Sequence, residues 1–247
     1  MMIQQPKHKL VLEVPGGATK VLLHTCCAPC SSAIIECMLQ QGITPVIYYS
    51  NSNIFPLEEY LHRKDECTRY ARSLGLEIVD DDYAHDSWRC EVAKGRENEP
   101  ERGARCLECF KYRLLRAARY ASENGFTVLT TTLASSRWKD LDQVNAAGQW
   151  ACNTVNAAIS AEGSCPTATR AALGNIRGRG PSLAMGGAER SEAVVGGQTP
   201  AAEAVIWWGQ NWRKGGLQDR RNQIIKEMDF YNQQYCGCEY SMRDKDE

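Results

Sequence analysis

The stretch KVLLHTCCAPCSSAIIECMLQQGI, residues 20–43, constrains the fold of this chain more than any other. The apolar run from Lys20 to His24 predicts a strand. A helix is predicted from near Pro29, which suits a first-turn position, to a stop at Gly42. The tight turn between strand and helix carries three cysteines: Cys26, Cys27 and Cys30. This unit therefore presents clustered thiols where a strand ends and a helix begins.

The same alternation of strands and helices continues along the chain. Further strands are predicted at three places: Pro45–Tyr49, Leu76–Val79 and TVLTTTL, residues 127–133. Helical periodicity fills the intervals: residues 56–76, about Cys106 to Asn124, and residues 140–150. This alternation predicts an α/β fold with a parallel sheet. In such sheets ligands bind beyond the carboxyl ends of the strands, and the cysteine turn falls at that edge.

Residues 154–205 break the pattern, because they are rich in Ala, Gly, Ser and Arg and contain no aromatic residue. With little large apolar material to bury, this stretch is expected to be an inserted, flexible segment. Ordered structure is expected to resume at VIWWGQNW. A helix from Leu217 to about Tyr235 and then a cysteine pair are expected to follow. We therefore expect one domain, residues 1–247, with this insertion and a C-terminal helical, cysteine-bearing segment.

The chain has 12 cysteines, and its N-terminus carries no apolar segment of the secretory type. No run approaches the ~20 apolar residues of a membrane span. These features predict a cytoplasmic protein, in which reducing conditions keep thiols open and clustered thiols bind metal or carry out redox chemistry. The formal net charge of −1 gives no global positive field, but a local basic patch suffices to bind nucleic acid.

Two parts of the chain can supply a four-sulfur set. Cys26 and Cys27 form one pair, and Cys106 and Cys109, at a predicted loop-to-helix transition, form the other. A tetrahedral sulfur set is typical of zinc or of an iron–sulfur centre. The adjacent pair does not suit a zinc ribbon, so the spacing favours iron–sulfur, with zinc and buried unliganded thiols as alternatives. His24, next to the turn, either tunes the site or packs at the strand end.

Cys236-Gly237-Cys238 is a different kind of motif. With one residue between them, the two thiols can close only a strained ring, and a strained disulfide is easily reduced again. The pair therefore suits a store of two electrons. Two incidental thiols after a helix are the alternative.

Six separate motifs occur in the order HTCCAPC, YYSNSNIFPLEEYLHRKDE, RCLECFKYRL, TTTLASSRWKDLDQVN, WGQNWRKGGLQDRRNQIIKE and YNQQYCGCEYS. Over most of residues 20–153 and 206–242 the chain thereby resembles the iron–sulfur epoxyqueuosine reductases, the QueH family. The resemblance implies a Rossmann-like sheet of the adenine-nucleotide α-hydrolase type. It also implies reduction of epoxyqueuosine at the tRNA wobble position to queuosine, the last step of queuosine biosynthesis.

The resemblance further implies a [4Fe-4S] cluster and an additional metal, iron or another ion. Matched by motif, the cluster-site cysteines are Cys26, Cys27, Cys106 and Cys109, and the redox-active pair is Cys236 with Cys238. Cys30 and His24 are candidates for holding the second metal or for lining the site. Conversion of an epoxide to an alkene with loss of water needs two electrons and two protons, which a dithiol supplies on forming a disulfide. An electron donor is therefore a second partner beside tRNA.

Two stretches have the composition expected of a tRNA-binding surface. Cations bind phosphates and aromatic rings stack on splayed bases, and both residue types occur together at each stretch. The first is NWRKGGLQDRR, with Arg213, Lys214, Arg220, Arg221 and Trp212; the second is SSRWKD, with Arg137, Trp138 and Lys139. Solvated charges beside core tryptophans are the alternative for each.

Two other functions compete with a reductase. An ATP-using enzyme of the same fold would place a glycine- and serine-rich phosphate loop where this chain has CCAPC, and no Walker-type lysine motif is present. A non-catalytic zinc-binding RNA module would need the metal cysteines but no redox pair. The CGC motif therefore favours the reductase.

Overall fold

A computed structural model describes residues 10–163, 203–231 and 233–242 of the chain. Five parallel strands form one sheet in the order β3-β2-β1-β4-β5. The strands are β1 (Lys20–Thr25), β2 (Thr44–Tyr49), β3 (Ile78–Asp80), β4 (Val128–Thr131) and β5 (Ile206–Trp207). The predicted α/β fold with a Rossmann-like parallel sheet is confirmed.

Six α-helices accompany the sheet within the described residues. They are α1 (Ala28–Gln40), α2 (Leu57–Ser73), α3 (His85–Trp88), α4 (Ala104–Glu123), α5 (Leu141–Gly163) and α6 (Leu217–Glu227). Helix α4 shows why such segments become helical: Phe110, Leu114, Ala117 and Ala121 recur at intervals of three or four residues and are all buried. None of the helices in the described ranges combines the length and the apolar character needed to span a bilayer.

Strand order places the cysteine turn at the functional edge of the sheet. From β1 the chain builds β2 and β3 on one side and then crosses to β4 and β5 on the other. The carboxyl ends of β1 and β4 are therefore the topological switch point, where ligand crevices open in such folds. Val21, Leu22 and Leu23 are completely buried in β1, as expected for a central strand covered on both faces. Cys26 follows directly after this strand.

Helix α6, strand β5 and helix α5 differ from what the sequence predicts. The predicted helix from Leu217 to Tyr235 ends at Glu227, because Asp229 has a left-handed backbone with φ of 49°. Strand β5 was not predicted. It pairs with β4. Beside it, the backbone N–H of Val205 donates to Asn156 Oδ1 at 2.8 Å, and Asn156 Nδ2 donates to the Val205 carbonyl oxygen at 3.0 Å.

Helix α5 also changes the boundary of the expected insertion. The helix continues to Gly163, so the first ten residues of the stretch 154–205 are helical. Residues 203–205 are again described, and Val205 is buried. The rest of the expected insertion, residues 164–202, lies outside the described residues.

Candidate active site

The turn after β1 gathers three sulfur atoms. Cys27 is the N-cap of α1, and its Sγ accepts a hydrogen bond of 3.3 Å from the backbone N–H of Cys30, one helical turn on. The Sγ atoms of Cys26 and Cys27 lie 3.8 Å apart. All three sulfurs lie within 4.8 Å of one another, a spacing suited to a shared metal. We call Cys26, Cys27 and Cys30 the thiol triad.

Neighbouring strands fix the position of the thiol triad. The backbone N–H of Cys26 donates to Thr132 Oγ1 at 3.2 Å, just after β4. After β2, the Asn51 side chain donates to the Thr25 carbonyl oxygen at 2.9 Å. The ends of three adjacent strands therefore hold the turn in place.

The thiol triad concentrates negative charge on one sulfur. Hydrogen bonds from the thiols of Cys27 and Cys30 lower the pKa of Cys26 well below its ordinary value, and the ammonium of Lys139 adds to this effect. Burial raises the pKa of Cys27. The interaction with Cys26 raises the pKa of Cys30 to about 12. A Cys26 thiolate stabilised by two neutral thiols is the form of the triad that these shifts favour.

His24 lies at the end of β1, two residues before Cys26. It is completely buried, with Nδ1 2.7 Å from Thr131 Oγ1 and Nε2 3.1 Å from the Ser50 carbonyl oxygen. Burial, followed by the Arg113 charge, lowers its pKa to about 3. Because both ring nitrogens are engaged, His24 joins β1, β2 and β4, which favours the packing alternative; its role in holding a metal or lining the site stays a prediction.

A cavity of about 550 Å³ opens beside the thiol triad. This volume lies in the range of small-molecule sites. Its walls bring together cysteines from three parts of the chain: the β1 turn, α4 and the CGC turn. They are Cys26, Cys30, Cys106, Cys236 and Cys238. The structure thereby places at one cavity five of the seven cysteines that the sequence singles out.

Cys106 and Cys109 begin α4 on the other side of the cavity. The Cys106 sulfur accepts a hydrogen bond of 3.3 Å from the backbone N–H of Arg102 and faces the cavity. Cys109 is buried behind it, against Trp88. Burial is the main cause that raises the pKa of both thiols, to about 11 for Cys106. Within the described residues, the compact sulfur group contains Cys30, and not Cys106 or Cys109.

Helix α2 and the loop before it hold the Cys236-Gly237-Cys238 turn. The backbone N–H of Phe55 donates to the Gly237 carbonyl oxygen at 2.8 Å. The Arg63 guanidinium donates to the carbonyl oxygens of Cys236 and of the residue before it, Tyr235, at 3.4 and 3.3 Å. Gly237 has φ of 108°, which favours glycine. Cys236 is exposed and Cys238 half-buried, and burial is the main cause that raises the Cys238 pKa to about 12.

The cavity is strongly cationic. Six of its basic side chains form no ion pair with any described residue: Arg102, Arg105, Arg113, Arg137, Lys139 and Arg221. Glu101 and Asp140 are the acidic residues in the described part of its wall. Unpaired cations around a concave, partly buried surface attract anions strongly. The cavity therefore suits an anionic ligand or an anionic cofactor.

The residues predicted to contact tRNA lie in different environments: some are exposed or line the cavity, and others are buried. Trp138 is 58% exposed, with the Arg137 guanidinium 4.8 Å from its ring centroid, and Lys139 lines the cavity. Lys214 is exposed, whereas Trp212 is 1% exposed and belongs to the core. The Arg213 side chain donates to the carbonyl oxygens of Ser136 and Lys139, so it braces the loop that carries Trp138.

Arg220, also predicted to contact tRNA, forms ion pairs within the fold. Its side chain is buried and donates to both carboxylate oxygens of Glu36 at 2.6 and 2.8 Å, and to Glu227 at 3.0 Å. These ion pairs favour a structural role for this cation, and its predicted contact with tRNA stays a prediction. Arg220 joins α6 to α1, and the neighbouring Arg221 faces the cavity instead.

Sequence reasoning missed several cavity residues. Asn53, Arg63 and Arg113 line the cavity; they lie within stretches that carry the family resemblance, but none was predicted to be a site residue. The signal for Asn53 was its place in the polar SNSN loop, directly after a buried strand that ends at the ligand edge of the sheet. No sequence signal shows that Arg63 and Arg113, on helices, face the same space.

Fold and site together define a Rossmann-like α/β protein with a thiol-lined cationic cavity at its switch point. Residues 21–162 and 167–244 match the family model for the epoxyqueuosine reductase QueH. The chain belongs to this family, whose members are oxidoreductases.

Curated relatives match over most of the chain. The epoxyqueuosine reductase QueH of Histophilus somni is 41% identical over 233 residues, covering 94% of this chain and 76% of the relative. The protein of the same name from Haemophilus influenzae is 40% identical with the same coverage. A third, from Acinetobacter baylyi, is 39% identical over 238 residues, covering 96% of this chain and 87% of the relative.

Proposed function

We propose that this protein reduces epoxyqueuosine in tRNA to queuosine, the last step of queuosine biosynthesis, in the cytoplasm. One observation carries the proposal beyond family membership: cysteines from the β1 turn, α4 and the CGC turn line the same cavity as six unpaired cations. Thiols supply the reducing chemistry, and the cations suit the phosphates of an RNA substrate. A pure binding module needs no redox pair in such a cavity.

Cys236 and Cys238 are proposed to hold the reducing equivalents. Loss of two thiol hydrogens, with formation of one S–S bond, releases two electrons and two protons. The epoxide takes up both electrons and both protons as its two C–O bonds break, a C=C bond forms and water leaves. The external electron donor then returns the disulfide to two thiols, so the cycle balances.

The proposed metal site is built from soft donors. Cys26, Cys27, Cys106 and Cys109 would hold the [4Fe-4S] cluster, and Cys30 is available to an additional metal ion. The donor chemistry fits such centres, because thiolate sulfur selects iron–sulfur clusters and the triad already favours one thiolate. When bound, these centres supply single-electron transfer and Lewis-acid polarisation of an oxygen. The chain itself supplies the cavity that would orient the substrate.

The tRNA contact is proposed for the loop 136–140 and the start of α6. Trp138 offers an exposed ring for stacking, and Arg137, Lys139 and Arg221 offer charge. Lys214 lies on the same chain segment as Arg213, which braces that loop. Exposed aromatic rings beside unpaired cations are the combination used for single-stranded RNA loops.

The proposal is tested on anaerobically purified protein by metal analysis and turnover. We expect about four iron and four acid-labile sulfide per chain and conversion of epoxyqueuosine in tRNA. Cys238→Ser should keep the visible absorbance of the cluster but lose turnover, whereas Cys90→Ser, at an exposed cysteine outside the cavity, should keep both. Zinc without sulfide would contradict the cluster, and full turnover by Cys238→Ser would contradict the redox pair.

A further inference from the structure

Two carboxamide side chains in the cavity have buried polar atoms without partners. Asn53 is 1% exposed, and its Oδ1 accepts no hydrogen bond from any described residue. The Nε2 of Gln233 is likewise buried and donates to no described residue. Both residues line the cavity that holds the thiol triad and the CGC turn. The residues that carry this unpartnered acceptor and this unpartnered donor therefore line the same space.

Such groups are rare in folded proteins, because burying a polar atom without a partner destabilises the folded state. A protein keeps them where a ligand completes the hydrogen bonds, at the expense of stability. The neighbouring Asn51 shows the contrast. Its side chain donates to Thr25 and accepts from Arg113, so its polar atoms are used within the fold.

The backbone around Asn53 is fixed on both sides. Asn51 anchors the loop to the end of β1, beside Cys26. Phe55 anchors it to Gly237, between the two cysteines of the CGC turn. Asn53 therefore lies on the short segment that connects the thiol triad to the redox pair. A ligand that occupies the cavity between these two groups therefore lies beside this segment.

We propose that Asn53, with Gln233, binds the uncharged hydrogen-bonding part of the substrate nucleoside; this inference rests on the proposed function. The cavity's cations attract phosphate but do not distinguish one neutral group from another. A carboxamide does so, because it offers one acceptor and two donors in one plane. Two parts of the nucleoside have this chemistry, the N–H and C=O edge of its base and the hydroxyl groups of its carbocycle.

The test measures binding of two anticodon stem-loop RNAs to metal-loaded protein, by fluorescence anisotropy. One RNA carries guanosine at the wobble position and the other queuosine, which shares the base edge and adds the carbocycle. We expect Asn53→Ala to weaken binding about tenfold, the loss of one good hydrogen bond. Equal loss for both RNAs assigns Asn53 to the base edge, and loss for the queuosine RNA alone assigns it to the carbocycle.

Two further variants sharpen the test. Gln233→Ala should weaken binding of the same RNA as Asn53→Ala does. Gln149→Ala removes an exposed carboxamide that lies outside the cavity and should leave binding unchanged. If wild-type binding is intact and Asn53→Ala binds both RNAs equally well, the inference is overturned while the proposed function stands. If the wild type neither binds nor reduces the RNA, the proposed function fails first.

Thermal unfolding of ligand-free protein separates recognition from a structural role. Because Asn53 Oδ1 has no partner in the described structure, Asn53→Ala should leave Tm unchanged or raise it. Asn51→Ala breaks two internal hydrogen bonds and should lower Tm. A similar fall in Tm for Asn53→Ala would show that the side chain supports the fold, and would overturn the inference.

Discussion

Arg63 Nη1 lies 3.4 Å from the carbonyl oxygen of Cys236, so a buried cation of α2 holds the end of the chain that carries the proposed redox pair. Glu59, one turn earlier, fixes the same guanidinium with hydrogen-bond and ion-pair distances of 2.6 Å. The position of the CGC turn therefore depends on a residue 173 positions away in sequence.

Arg63→Lys should reduce turnover by roughly 10-fold to 100-fold, the cost of misplacing a reacting group by about an ångström. Lysine keeps the charge but loses the planar fork that reaches two carbonyl oxygens and Glu59 at once. Single-turnover rates at fixed metal content measure the effect. Arg69→Lys, on the exposed face of the same helix, is the control and should behave as wild type. Equal rates for both variants would show that Arg63 does not position the turn.

Gly237→Ala should displace the turn even with Arg63 in place. A Cβ atom at Gly237 would lie 3.0 Å from Ile54 Cγ1 and 3.1 Å from Arg63 Nη1, and φ of 108° adds backbone strain. We expect turnover to fall at least about tenfold, with a loss of about 1–2 kcal/mol in unfolding free energy. Gly125→Ala has strain of the same kind, at φ of 71°, but meets no atom within 4 Å. This control should lose stability and keep turnover.

Trp138→Ala should weaken RNA stem-loop binding by about 1–3 kcal/mol, the usual value of one base stacked on an aromatic ring. Trp138→Phe should recover most of the loss, because a smaller ring still stacks. Trp150 provides a matched control, since it is 41% exposed and also lies beside a cation, Lys111, but does not line the cavity. Equal affinities for the two alanine variants would remove Trp138 from the RNA surface.

Because His24 is buried and uncharged, we expect the folded protein to lose stability in acid. Its pKa is about 3 in the folded protein, against an ordinary value of 6.5, so below pH 6.5 the unfolded chain binds a proton that the folded chain does not. Stability should therefore fall as pH falls from 6.5 towards 3, by about 2 kcal/mol between pH 7 and pH 5 from this residue. Urea unfolding of chelator-treated protein measures this loss. His24→Gln should reduce it, whereas His62→Gln, at an exposed histidine, should retain it.

Much of the fold could be predicted from the sequence because its strands are short, apolar and regularly spaced. Strands β1 and β2 were placed to within a residue, since both are buried parallel strands that read as continuous apolar runs. Strand β5 was missed because two residues, Ile206 and Trp207, leave no periodic signal. The end of α6 was misplaced because the left-handed conformation of Asp229 has no marker such as glycine.

The site was predictable where its chemistry is local. Cys26, Cys27 and Cys30 stand close in sequence, and their spacing alone indicates a metal or redox site. The environment of a distant side chain was not predictable: Arg220 looked like a free cation until the fold placed it against Glu36. Asn53 carries no chemical signature in sequence, because an unpartnered carboxamide is defined only by what surrounds it.

The hydrogen bond from Phe55 to Gly237 has a consequence for the order in which the molecule is built. The ribosome makes the thiol triad long before it makes the CGC turn, about 200 residues later. Until that turn arrives, the cavity lacks one wall and the triad is open on that side. Docking of the turn closes a loop of some 180 residues and is therefore a slow, late contact. The proposed metal site is thus accessible from the open side while the chain is still growing.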